Sequence, residues 1–146
     1  MPESTAVLLL AHERDAQALA YRASLIARHV GPVFLHLDAK AGEEAYVQLG
    51  EALSRLEGEG GRVERIATRV SVHWGGDDML LAMLALLDAA RAQGPFEHYV
   101  FASSTHYPLQ ERDDVKSILA SLKGHSGRES KPMPYKQILK RLVLPF

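Results

Sequence analysis

The chain contains no cysteine. That excludes disulfides, thiolate metal sites and a cysteine nucleophile, and it fits a reducing compartment. Nor is there any run approaching the roughly 18 consecutive apolar residues needed to cross a bilayer. The nearest case, the apolar stretch after Asp78, is interrupted by Asp88 and Arg91. No charge of one sign dominates: 17 basic residues face 18 acidic ones, which argues against a general nucleic-acid binder. Gly-x-Gly-x-x-Gly and Gly-x-x-x-x-Gly-Lys are both missing, so the common dinucleotide and P-loop phosphate sites are not expected. Asp-x-Asp, the usual carboxylate pair for a metal-bound diphosphate, is missing too. The amino-terminal apolar run, Ala6 to Ala11, is too short for a secretion signal, lacks a preceding basic region and has Glu3 in front of it. These absences together give the expectation of a soluble, cytoplasmic protein.

What is present is a globular composition. Of 146 residues, 47% are hydrophobic, enough for one domain with a substantial core. Ala6–Ala11 is a continuous apolar run of strand length, the pattern of a strand covered on both faces. Asp15 is placed to cap a helix in which Leu19, Ala23, Ile26 and Val30 recur at helical spacing, and Gly31-Pro32 ends it. Val33–Leu37 is a second strand running into Asp38. A helix over roughly 43–57 carries Tyr46, Leu49, Leu53 and Leu56 on one face. Val63–Ile66 reads as a third strand and Val70–Val72 as a further short one. Asp77 or Asp78 can cap a helix reaching Gln93; being apolar almost all round, that helix is expected to be buried. Tyr99–Ala102 is another strand, Ser103–Gln110 a loop, and Asp113 or Asp114 caps a last clear helix.

After Lys123 the composition shifts to a linker-like run, and Tyr135–Leu144 has the pattern of a short basic amphipathic helix. Two units follow: an α/β domain over 1–122, and a linker with a basic tail over 123–146. That tail could touch an anionic membrane peripherally through 135–144 or pack on its own domain. Strands alternating with helices predict a mainly parallel sheet with helices on both faces. In such sheets ligands bind outside the carboxyl ends of the strands. His12, Asp38, His73-Trp74 and Ser103-Ser104 all fall at strand ends, so a parallel sheet would gather them along one rim.

Each of these residues carries two readings. Trp74-Gly75-Gly76 lets the backbone turn tightly and approach a ligand closely, but spacing alone favours a structural turn with a packed indole. Asp77 and Asp78 would repel a phosphate at the helix start. His36 and Asp38 share a strand face, and a hydrogen-bonded pair is a commoner outcome than a metal site. Asp38 at the strand end suits either a ribose or base contact or a loop cap. His12 is a ligand contact or a satisfied histidine at the mouth of the sheet, and His106 a proton carrier or an ordinary loop histidine.

Four segments, LLLAH at 8–12, FLHLDAK at 34–40, VHWGGDDMLLAMLALL at 72–87 and YVFASSTHYPLQ at 99–110, occur in the order of a known pattern. The chain resembles the core-2/I-branching β-1,6-N-acetylglucosaminyltransferases, a family that includes peptide O-xylosyltransferases, over roughly residues 6 to 122. The resemblance implies a GT-A-like, Rossmann-related domain that takes a UDP-sugar donor. It implies metal-independent, inverting transfer of a sugar, N-acetylglucosamine or xylose, to a glycan or other hydroxyl acceptor, with no cofactor. It places His12, Asp38, Val72, Trp74, Gly75 and Gly76 around the nucleotide. It turns the loop with Ser103, Ser104, His106 and Tyr107 toward sugar and acceptor. Two departures matter. The family loop reads Ser-Gly-x-Asp-Tyr-Pro-Leu, whereas here it is Ser103-Ser104-Thr105-His106-Tyr107-Pro108-Leu109. The half of the family's fold that carries its catalytic glutamate and its diphosphate-binding basic residues has no counterpart here, so the GT-A-like fold is expected to be incomplete and no catalytic residue is assigned. The alternative to a transferase is a non-catalytic UDP-sugar-binding module or decayed homologue; an interaction protein using the sheet edge and the basic tail is a third reading.

Overall fold

A computed structural model of the chain describes residues 5–58, 61–73, 75–108, 112–121 and 143–145. Strand β1 (Thr5–Ala11) is followed by helix α1 (Ala16–His29), strand β2 (Val33–Leu37), a single 3-10 turn (Ala39–Ala41) and helix α2 (Glu43–Arg55). Then come strand β3 (Val63–Arg65), helix α3 (Asp78–Gln93), strand β4 (His98–Ser103), strand β5 (His106–Pro108), helix α4 (Arg112–Ser121) and strand β6 (Val143–Pro145).

The main sheet has the order β3-β2-β1-β4, and every pairing in it is parallel. The protein is therefore an α/β fold with a Rossmann-like parallel sheet. The two central strands explain their own sequences. β1 and β2 are covered on both faces, so TAVLLLA and VFLHL have no polar alternation. Val7, Leu9, Ala11, Val33, Leu35 and Leu37 pack against α1 and α2, whereas Ala6, Leu8 and Phe34 meet Leu86 and Ala90 of α3 on the other face. Phe96 closes that second layer edge-to-face with Phe34 and Tyr99, at centroid distances of 6.1 and 5.9 Å. With one constant crossover hand, a helix changes faces when the strand order reverses direction. That reversal falls between β1 and β4, where α3 replaces α1 and α2 as the covering layer.

Local signals fix the ends. Asp15 caps α1 by accepting the Ala18 N–H at 3.0 Å. Gly31 follows the helix where a Cβ would lie 2.2 Å from the Thr5 carbonyl oxygen, so no larger residue fits that approach.

Four expectations change. Val70–Val72 is not a strand: residues 66–73 form no regular element, because their polar groups bond to side chains and to a neighbouring turn and not to a ladder. α3 is not buried all round. Only Ala82, Leu86 and Ala90 are buried, while Leu80 and Leu81 are each 57% exposed, since a lone helix on a sheet face hides one stripe. The Ser103–Gln110 loop contains β5, paired antiparallel with β6 in a separate two-stranded sheet. Val143 and Leu144, expected at the end of the tail helix, lie in β6 because they pair with Pro108 and Tyr107. The rest of the proposed tail lies outside the described residues. Among the described residues, no helix is long and apolar enough to cross a membrane.

Candidate functional site

The carboxyl end of β2 is the most densely bonded part of the rim. Asp38 is 5% exposed. One of its oxygens, Oδ1, accepts the Lys40 N–H at 2.8 Å and the other, Oδ2, accepts the Val72 N–H at 3.2 Å. The Lys40 ammonium stands 3.7 Å from Oδ2 and also donates to the Val72 carbonyl. Asp38 thus caps the 3-10 turn and holds a segment 34 residues further along the chain.

Two residues earlier, His36 is 1% exposed and its Nε2 accepts the Val70 N–H at 2.9 Å. An imidazole nitrogen that accepts cannot carry a proton, so in the neutral ring the proton is on Nδ1. That Nδ1 is buried with no hydrogen-bond partner. Burial pushes the imidazole below its ordinary pKa; Asp38 and the backbone oppose the shift, and Arg69 adds to it. His36 and Asp38 do not bond to each other: each accepts from backbone amides of the segment 70–72, and Asp38 also from that of Lys40. Among the described residues, no group of three or more His, Asp or Glu side chains is arranged to hold a metal.

Arg69 completes this corner. Its Nη2 donates to the carbonyls of Asp38, Ala39 and Gly42 at 3.3, 3.4 and 3.0 Å, and its Nη1 pairs with Glu43 at 2.9 Å. With the Ala39 N–H donating to the Val70 carbonyl at 3.1 Å, the segment is fastened on both sides. The guanidinium also lies 4.6 Å from the Tyr46 ring, which Arg65 covers at 3.6 Å.

The second corner is the crevice between β1 and β4, where the strand order reverses and open parallel sheets take their ligands. His12 is exposed there. Its N–H donates to Oε2 of Glu13 at 3.2 Å. The other oxygen of Glu13 accepts the Ser104 hydroxyl and lies 3.6 Å from Arg22. Ser104 is fully buried, and its N–H donates to the Leu10 carbonyl at 2.9 Å. Ser104 thereby ties the end of β4 to the chain after β1. The Ser103 hydroxyl is 2.8 Å from that of Thr105. His106 and Tyr107 have their backbone in β5, and their side chains lie outside the described residues.

Between the corners and α3 runs the glycine turn. Val72 is half-buried, and Gly75 is exposed with φ +77°, a backbone region that favours glycine. At Gly76 a Cβ would meet Oδ1 of Asp78 at 2.5 Å. Asp78 does not cap α3: its Oδ2 takes the His73 N–H at 3.2 Å and lies 2.5 Å from the His73 Nδ1. That imidazole holds its carboxyl below the usual carboxylate range. Asp77 occupies the cap position without a side-chain bond. Trp74 lies outside the described residues. The start of α3 is therefore acidic and is no seat for a diphosphate.

The rim thus brings His12, Asp38, Val72 and Ser103 to the same ends of one parallel sheet, while Gly75 and Gly76 lie in the turn before α3. Sequence reasoning missed Glu13, Lys40 and Arg69. An arginine inside the β-prone run IATRVSV, and a glutamate shortly after the first strand end, were the signals available. A separate groove of about 570 Å³ runs down α2 from Glu43 to Arg55, floored by Tyr46, Gly50 and Arg65, on the β3 flank of the sheet.

Neither a protein-family model nor a curated protein sequence matches the chain. Among solved structures it is similar to protein Rv1636 from Mycobacterium tuberculosis H37Rv, with 17% identity over 66% of this chain and 69% of that one and a TM-score of 0.36. A likeness that distant carries no functional argument.

Proposed function

We propose that the carboxyl rim binds a UDP-sugar and that the chain serves a sugar transferase of the core-2/I-branching type. The observation that carries this reading is where the four family-like segments fall. Residues 8–12 end β1, 34–40 span β2 and its turn, 72–78 lead into α3, and 99–108 cover β4 and β5. All of them meet at the carboxyl edge of a parallel sheet, the edge at which such folds take nucleotides.

Within this reading the uridine lies along the β1 and β2 ends, against the wall formed by residues 70–73. Asp38 acts as the residue that fixes this wall, since its oxygens are engaged by backbone amides. Lys40 contributes a half-exposed ammonium on the same rim, where a leaving diphosphate needs positive charge. Inverting transfer also needs a base that deprotonates the acceptor hydroxyl as its oxygen attacks the anomeric carbon and UDP departs. His106 stands where the family's loop has a carboxylate. That departure favours, as a second reading, a module that binds the donor without turning it over. The domain over 1–122, the acceptor contacts, any peripheral membrane contact through 135–144 and a cytoplasmic site of action belong to the same proposal.

Calorimetric titration with UDP, UDP-N-acetylglucosamine and UDP-xylose tests the binding, with ADP and GDP as controls. Asp38→Ala should weaken UDP binding by about 1–3 kcal/mol, the cost of leaving buried amides unpaired in the wall. A product assay with labelled UDP-N-acetylglucosamine then separates transferase from binding module. Failure of every uridine ligand to bind would remove both readings.

A further inference from the structure

We infer that His36 is a proton-operated latch on the wall of the rim: neutral, it holds residues 70–73 across the end of β2, and protonated, it releases them. The geometry is specific. The Val70 N–H points at Nε2 from 2.9 Å. A ring that gains a proton gains it on Nε2, because Nδ1 already carries one. Two N–H groups then face each other, and the acceptor that fixed Val70 no longer exists. The new charge would also sit in a nearly solvent-free position, 1% exposed.

The surroundings decide how much of this can be relieved in place. On the same face of the sheet stand Leu10 of β1, in register with His36, and the apolar group of Ile66, Leu86 and Phe34. Two charged groups act on the ring: Asp38, which favours the proton, and Arg69, which opposes it. Asp38 is already bonded to two amides and lies beside Lys40. Of the other charges on this side, Glu64 pairs with Arg62 at 3.2 Å and Asp78 with His73, while Asp77, Asp88 and Arg91 of the α3 region are exposed to solvent. Among the described residues, the carboxylates of Asp38, Glu64 and Asp78 are already engaged by other partners, so relief comes through movement of the segment. Val72, held by Asp38 two residues beyond Val70, moves with it, and so does the approach to Gly75. Acid therefore opens the wall against which the nucleotide is proposed to lie. The consequence for ligand rests on that functional reading; the latch itself does not.

Nitrogen-detected NMR of the histidine rings, with amide exchange followed between about pH 4.5 and 7.5 around the ordinary histidine value, tests the latch in the whole chain without ligand. The expected result is a neutral His36 with Nε2 unprotonated. The protection factors of Val70 and Val72 should fall together as His36 titrates, while that of Val7, bonded to the Pro32 carbonyl inside the sheet, holds. An Nε2-protonated neutral ring, or a Val70 amide that stays protected through the titration, overturns the latch. UDP affinity should drop about tenfold for each pH unit below the His36 midpoint, as the competent fraction shrinks. His36→Gln, whose amide oxygen accepts from Val70 without titrating, should bind UDP with no such step. If UDP binds equally across the amide transition, the regulation is refuted. If UDP fails to bind at any pH while the amide transition persists, the nucleotide reading falls and the latch stands.

Discussion

Arg69 concentrates more of the rim's bonding in one side chain than any residue the pattern of the sequence singles out. One planar fork satisfies three carbonyls of the turn after β2 and pairs with Glu43, an arrangement that a lysine, with its single point charge, cannot reproduce. Arg69→Ala should cost about 3 kcal/mol, the upper end for part-buried polar groups left without partners. Arg69→Lys should recover only the contact with Glu43. Urea unfolding checks this: the midpoint should fall with the slope unchanged, since the surface exposed on unfolding is the same. His36 supplies a second residue-scale expectation. Its pKa is lowered in the folded state, so the unfolded chain binds more protons below the ordinary value near ~6.5. Its contribution to stability is complete above that value and is lost as pH falls toward the folded midpoint. In His36→Gln that slope should be missing from a plot of stability against pH. The common face of His36 and Asp38 is legible from strand alternation. Their partners are not, because Val70 and Val72 lie 34 residues away and no local spacing records a contact of that range.

At the scale of elements, α3 shows what hydrophobic pattern does and does not determine. Its length, its start near Asp78 and its end at Gly94 follow from the sequence. Its burial depends on how many layers cover it, which the pattern cannot say. Ala82, Leu86 and Ala90 form the buried stripe, one residue in four. Leu80, Leu81 and Leu84 face away from the sheet. Leu81→Lys should therefore leave stability within about 0.5 kcal/mol of the parent, as for surface substitutions generally. Leu86→Ala should cost about 2–5 kcal/mol, because a cavity opens against the sheet. Equal effects of the two in thermal unfolding would mean that the outer face is covered after all. The run Val70–Val72 is the complementary lesson: its β-branched residues have strand propensity, yet Val70 and Val72 donate their amides to an imidazole and a carboxylate. Propensity identifies an extended segment and leaves open what it pairs with.

At the scale of the whole molecule, the reversal of strand order between β1 and β4 creates the crevice, and Glu13 ties its two sides by joining the chain after β1 to Ser104 after β4. The parallel sheet and its rim were readable from apolar strands alternating with helices; the clamp was not, since it joins residues 91 apart in sequence. The proposed rim site has a rival in the groove along α2. Linkage separates them. A ligand that binds only the folded chain stabilises it by about 2.7 kcal/mol when present at one hundred times its dissociation constant, so the melting temperature should rise with UDP concentration. If the rim is the site, Glu13→Ala, which unties the crevice, should shift the UDP dependence of that rise to higher concentration. Val47→Glu, which places a charge in the α2 groove, should leave the dependence as it was. The reverse pattern would move the site to the flank of the sheet, where Arg65 and Tyr46 and not Lys40 and His12 would meet the ligand.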